Sequence, residues 1–329
     1  MTALVSSMNP PFAISFEVFT ATSFWTGVGV LAGIYTLFTL GLQLNAGFTG
    51  IINFGQAGFM AVGAYAMAIL VAKAGWSFWL AMPAAVLIAM AFGLIVGLPS
   101  LRLRADYFAI ATIAAAEIVR YTAQNARGLT GGNQGFLGYD DTWNNISNTI
   151  EGWLQSAGWS DPETLFPLLI VVWIVAGLAI LALHYAQRSP WGRVLRAIRE
   201  DEDAARALGK NVLSYKLQSL ALAAALGALA GFFYALELSF LHPKEFNPLF
   251  TFIGYGVLVL GGLANYWGVA IGSILMWTIL EGSRFIKLPM STEHIAAARF
   301  MLVGLVLILL MAFRPQGIFG KREEMVLGD

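Results

Sequence analysis

RSPWGRVLRAIREDEDAARALGK, residues 188–210, places six Arg/Lys and four Asp/Glu among 23 positions in a chain that is only 12% charged. A segment of that charge density stays in water. The flanking runs 165–186 and 213–236 are apolar and long enough to cross a bilayer, so the segment reads as a hydrated handle joining two membrane spans. Ser189 followed by Pro190 predicts a helix start, because Ser caps free N–H groups and Pro suits the first turn; Gly209 predicts the stop. Between them Val194, Leu195, Ile198, Ala205 and Leu208 recur at roughly helical spacing, leaving one apolar stripe on an ionic surface.

Composition agrees with a membrane chain. The 329 residues are 58% hydrophobic, with a mean hydropathy of +0.71, which predicts an all-α polytopic membrane protein. A formal net charge of zero gives no electrostatic case for nucleic acid. The absence of Cys removes disulfides, thiolate metal sites and cysteine nucleophiles, and three scattered His offer little to a metal. No Lys or Arg precedes Lys73, so no cleaved signal is expected and the first span should act as its own insertion signal.

The spans follow from where charge is missing. Residues 18–72 carry none over 55 positions, roughly 80 Å as helix against a hydrocarbon core of about 30 Å. One span cannot absorb that length, and the break is expected at 45–56, NAGFTGIINFGQ, between helices of about 24–44 and 57–72. Further spans are expected at 78–101, 105–121, 165–186 and 213–236, then a short segment at 249–263, a span at 266–282 and a last one at 297–313. That makes about nine segments (eight to ten), within a membrane domain over 24–317. A polar segment 1–23 precedes it, a polar loop fills 122–164, and a charged tail covers 318–329. Placing the handle in the cytoplasm puts twelve basic residues inside and seven outside, with the N-terminus outside and the C-terminus cytoplasmic. The Gly-interrupted runs near 45–56 and 260–268 sit in opposite halves and hint at an old duplication.

Irregular, amide-rich backbone at membrane depth is tolerated only against protein or a water-filled cavity, which makes Asn45, Thr49, Asn53 and Gln56 candidates for a translocation path; a packed Gly-rich turn explains them equally. Thr130-Gly131-Gly132-Asn133 offers backbone N–H groups that suit a carboxylate, although an ordinary Gly turn has the same sequence. Glu117 and Arg120 are spaced i, i+3 and read as a structural ion pair rather than a proton relay; His184, at the end of the fifth span, reads as interfacial. The chain lacks G-x4-G-K-[ST], G-x-S-x-G and H-E-x-x-H, so it has no nucleotide-binding loop and little to support an intramembrane hydrolase.

The order of small residues in the handle is more specific than its charge. Asp203-Ala204-Ala205, three residues and then Gly209 resembles the EAA-x3-G loop by which ABC importer permeases dock on their ATPases, with Asp for the usual Glu. Leu101-Arg102-Leu103-Arg104-Ala105-Asp106-Tyr107, continuing to Glu117-Ile118-Val119-Arg120, is similar to the corresponding run of permeases for branched-chain and other neutral amino acids. Leu129-Thr130-Gly131-Gly132 and Phe313-Arg314-Pro315-Gln316-Gly317 resemble two further elements of that family. Ala105 stands where the family often has Gly, and Gln56 where it often has His.

The resemblance implies a bacterial inner-membrane permease subunit that is itself no enzyme and holds no cofactor, ATP being bound by partners. Those partners are two ABC ATPase subunits, a homologous second permease, an extracytoplasmic amino-acid-binding protein and the lipid bilayer. It further implies an ATPase-coupling loop carried by Arg193, Arg196, Arg199, Asp203, Ala204, Ala205, Leu208 and Gly209. The alternatives are an ABC permease for another small solute such as urea or an amide, and an ion-coupled secondary transporter. The second would place acids near mid-membrane, where these spans show almost none.

Overall fold

The computed structural model describes residues 13–14, 19–159 and 163–287, and shorter stretches between 294 and 320. Most of the N-terminal segment 1–23 and the tail residues 321–329 lie outside the described residues, as do Pro315 and Gln316. Among the described residues the fold is helical apart from a two-residue antiparallel pairing of β1 (Ala13–Ile14) with β2 (Ile286–Lys287) and a single bridge between Phe136 and Leu241.

Helix α1 (Thr22–Leu42) runs directly into π-helical turns over Gln43–Thr49, and an extended stretch then leads to α2 (Gln56–Ala72). The break expected at 45–56 is therefore real, and it starts as a widened helix. The hairpin α3 (Phe78–Ser100) and α4 (Ala105–Asn125) follows, turning at the Arg102/Arg104 edge. The polar 122–164 loop contains α5 (Arg127–Thr130) and the unforeseen α6 (Asp141–Ser156), whose Trp143 is buried. Helix α7 (Phe166–Arg188) leads to the handle, and α10 (Val212–Leu238) leaves it. Helices α11 (Leu249–Gly261) and α12 (Tyr266–Gly282) form a broken pair bent by 117° at Gly262–Asn265. The described residues between 294 and 313 are all helical, within the expected last span.

Four of the described helices are long and apolar enough to cross a membrane: α1 with its π-helical extension, α3, α7 and α10; the bent pair makes a fifth. Helix α2 is apolar but only 17 residues long, and α4 carries Asp106, Glu117 and Arg120. Helices α1 and α10 are 83% buried in their apolar windows, whereas α3 and α7 are 28% and 33% buried. A central pair is thus surrounded by helices whose outer faces, with Leu80, Leu87, Ile95, Ile174 and Leu178, are left for lipid.

Small residues draw α10 against its neighbours. A Cβ at Gly231 would lie 2.0 Å from the Met60 carbonyl oxygen, and one at Gly63 would lie 2.4 Å from the Ala228 Cα, so α2 and α10 approach backbone to backbone. Contacts also sort the connections by end. The handle, the π-helical turns, the α11/α12 break and Ile318 are linked at one end of the bundle. Lys73 donates to the Gly128 carbonyl, and Phe136 pairs with Leu241, at the other.

One expectation is corrected here. The handle is not a single helix from Ser189 to Gly209 but two, α8 (Pro190–Glu200) and α9 (Glu202–Ala207). Asp201 separates them: its backbone is extended and its carboxylate accepts from the Ala204 N–H at 2.9 Å, so the side chain caps α9 at the expense of continuity.

Candidate functional site

The π-helical turns exist because the apolar run of α1 meets Gln43, Asn45 and Thr49, whose side chains bond locally and across the bundle. Thr49 Oγ1 donates to the Leu44 carbonyl at 2.9 Å and lies 2.8 Å from Ser219 Oγ of α10; Ser219 in turn lies 3.0 Å from Asn45 Oδ1. Deeper in the bundle, Gln56 Nε2 donates to the carbonyls of Ala223 (2.9 Å) and Phe38 (3.3 Å), while Gln56 Oε1 accepts from Asn53 Nδ2 at 3.3 Å. Asn53 Oδ1 holds the Gly55 N–H at 2.8 Å, and its carbonyl accepts from the Tyr255 hydroxyl at 3.0 Å. The two N–H groups flanking this turn are satisfied by side chains, Phe54 by Thr112 Oγ1 and Ala57 by Thr251 Oγ1, both at 3.1 Å.

Asn45, Thr49, Asn53 and Gln56 therefore meet in one belt, essentially without exposure. They are bonded within the chain rather than facing an open path. Only Asn45 Nδ2 has no partner among them. In an apolar interior each of these bonds is costly to lose, so the belt fixes how α1, α2, α4, α10 and α11 sit together. Ser219, Thr112, Thr251 and Tyr255 gave no signal in sequence, since single hydroxyls in apolar helices are ordinary. Gln43 could have been found, as an amide two residues before Asn45.

The two irregular elements of opposite halves touch. With its amide turned to satisfy both of its polar atoms, Gln43 accepts from the N–H groups of Ala264 and Asn265 at 2.5 and 2.6 Å. The Phe48 and Tyr266 rings stack at 4.9 Å. Asn265 then caps α12 by accepting from Trp267 and Gly268 N–H groups at 3.1 and 3.2 Å.

The handle is fastened to this junction. Arg199 donates to the Gly47 carbonyl, at the end of the π-helical turns, and the Arg196 guanidinium lies over the Phe48 ring at 5.9 Å. Ser189 Oγ accepts from the Gly192 N–H at 3.5 Å, as expected of a cap. Gly209 has φ of +77°, a left-handed turn that returns the chain to α10 and that side chains rarely adopt. The candidate coupling residues divide by exposure. Ala205 is 3% exposed and packs on Ile198 and Val212 of its own chain. Arg193, Arg196, Ala204, Leu208 and Gly209 are exposed, as is Asp203, which is paired with Arg206 at 2.7 Å.

The Gly-rich loop is likewise corrected. Thr130 is buried, and its hydroxyl is bonded to the Ala123 and Ala126 carbonyls at 2.5 and 2.9 Å. The N–H groups of Gly131, Gly132, Gln134 and Gly135 are bonded within the loop, so these four are not open to a carboxylate. Asn133 is exposed, and neither residue is linked to the buried belt by a described contact. Glu117 and Arg120 are ion-paired at 2.5 Å within α4.

Residues 25–311 match the family described as branched-chain amino acid transport system / permease component. The high-affinity branched-chain amino acid transport system permease protein LivM of Escherichia coli (strain K12) is 31% identical over 306 residues, 88% of this chain and 69% of that protein. The corresponding LivH protein of the same organism is 28% identical over 313 residues, 89% of this chain and 93% of that one. The probable branched-chain amino acid transport permease protein LivM of Methanocaldococcus jannaschii is 25% identical, covering 88% and 91%. No solved structure matches the chain. A match across 25–311, together with 31% identity over most of the chain, makes this protein a member of the branched-chain amino acid transport permease family.

Proposed function

We propose that this chain is the membrane-spanning permease subunit of an ATP-driven importer for branched-chain or other neutral, hydrophobic amino acids. The observation that carries the reading is the fastening of an exposed handle to a π-helical break beside a buried amide belt. Movement imposed on α8 and α9 by a docked subunit reaches Gly47 and Phe48 through Arg199 and Arg196. A π-helical segment, with its non-standard hydrogen bonding, is a natural place for two arrangements to interconvert. Belt residues such as Thr49 and Ser219 then exchange bonds, opening a path along the amides. The chain holds no nucleotide-binding loop of its own, so ATPase subunits supply the energy, two by the symmetry of a paired permease. The other members are a second, homologous permease and an extracytoplasmic amino-acid-binding protein.

In this reading the handle lies in the cytoplasm of a cell whose inner membrane the chain crosses about nine times, with the N-terminus outside. The 122–164 loop, with α6, is extracytoplasmic. The main charged pair in a span, Glu117 with Arg120, is self-neutralised, so a substrate with a charged side chain lacks a counter-ion in a low-dielectric path. Co-purification with ATPase subunits and ATP-dependent uptake in proteoliposomes test the assignment. Leu, Ile and Val are expected to be taken up, with Lys and Glu as poor competitors. Uptake without ATPases, driven by an ion gradient, would overturn it.

A further inference from the structure

Beside the junction of the two breaks lies a cavity of about 310 Å³, formed by the end of α7, the outer side of α8 and the Asn265–Trp267 turn. His184, Arg188 and Arg196 line it, and among the described residues no Asp or Glu does. The two guanidinium groups have no carboxylate partner among the described residues: Arg196 lies over the Phe48 ring and near Tyr266, and Arg188 accepts from Arg193 through its backbone carbonyl. Two cations lining one cavity without a carboxylate partner among the described residues favour an anion there.

The surroundings say which anion. Trp267, 56% exposed, lines the cavity, and Tyr185 and Leu181 of α7 are exposed next to it at 70% and 44%. Arg188 is the last residue of an apolar helix, so the cavity sits where lipid-facing surface gives way to charged surface, the level at which Trp and Tyr collect in membrane proteins. Basic pockets between spans at that level take lipid head groups.

We propose that this cavity binds the phosphate of an anionic phospholipid head group, with Arg188 and Arg196 as its ligands and Trp267 against the glycerol and upper acyl region. Because Arg196 also contacts Phe48 in the π-helical turns, a bound lipid bears on the clamp between handle and transport domain. The proposal requires only that this end of the bundle lie at a lipid–water boundary, and so stands apart from the identity of the transported solute.

The test uses the complete chain in mild detergent and native mass spectrometry, with phosphatidylglycerol, cardiolipin or phosphatidylcholine added. Retention of the two anionic lipids over phosphatidylcholine is expected, falling about fivefold for each arginine removed in Arg188→Gln and Arg196→Gln. Arg102→Gln, at the same end but outside the cavity, should retain lipid as the parent does. Equal retention of all three lipids, or no loss in the double variant, would overturn the proposal. Displacement of the lipid by millimolar inorganic phosphate would identify a free-anion site instead. Lipid binding that appears only after residues 321–329 are removed would show that the chain's own tail, with Glu323 and Glu324, is the natural occupant.

Discussion

Ala205 and Leu208 are three residues apart in the handle and differ in what surrounds them. Ala205 is 3% exposed among Ile198, Val212 and Tyr215, whereas Leu208 is 79% exposed. Ala205→Glu forces a carboxylate into that small apolar cluster and should cost several kcal/mol locally. It is expected to lower the amount of folded protein in the membrane, or to make the handle sensitive to limited proteolysis. Leu208→Glu changes only exposed surface, and such changes usually move stability by about half a kcal/mol. Normal membrane levels with loss of co-purified ATPase are expected; full ATPase retention would remove Leu208 from the docking face. Gln56 is the corresponding residue in the belt. Gln56→Leu keeps the volume but removes the acceptor of Asn53 Nδ2 and both bonds to the Phe38 and Ala223 carbonyls. Unsatisfied buried groups cost about 1–3 kcal/mol each, so the thermal midpoint in detergent should fall, and an unchanged midpoint would mean that water replaces the amide.

Between elements, the α2–α10 contact and the handle clamp make separable predictions. Gly231→Ala places a methyl group against the Met60 carbonyl, and overpacking of this kind costs about 1–3 kcal/mol, whereas Gly177→Ala in α7 meets open space. A lowered thermal midpoint for the first and none for the second is expected by fluorescence melting. Arg199→Ala removes the bond to Gly47 and leaves the exposed residues of α8 and α9 in place. ATPase subunits should still co-purify while uptake per ATP hydrolysed falls; loss of co-purification would make Arg199 a docking residue. The elements were legible where charge or a Gly/Asn break marks their ends: the expected 78–101 and 266–282 are α3 and α12 to within a residue. Helix α6 was hidden because its Asn and Thr content masks the Trp143, Ile146, Ile150, Leu154 stripe. The break at Asp201 was hidden because four consecutive acids read as helix surface. Asn45, Thr49, Asn53 and Gln56 were visible as amides in an apolar run. The bonds of Thr49 and Asn45 to Ser219 were not, since the Thr49–Ser219 contact spans 170 residues and has no local pattern.

Across the whole molecule, the contacts gather charged connections at one end and the polar loops at the other, and the remaining question of sidedness is physical. The handle end holds Arg102, Arg104, Arg188, Arg193, Arg196, Arg199, Arg206, Lys210 and Lys216, a bias that favours the cytoplasmic side in the orientation proposed above. The other end presents α6, half-polar and packed on α7, with Asn144 exposed on its surface. The chain has no Cys, so single substitutions report without background. Asn144→Cys should react with a membrane-impermeant maleimide in intact cells. Ala204→Cys, exposed on α9, should react only after permeabilisation, and Phe319→Cys should follow it, because the Phe319 carbonyl accepts from Asn265 at the handle's end of the bundle. Labelling of Ala204→Cys from outside would invert the topology and put the handle out of reach of any cytoplasmic ATPase. Opposite accessibility for Ala204→Cys and Phe319→Cys would instead break the packing of the last segment against the α11/α12 turn, leaving the handle's side to be set by its own charge alone.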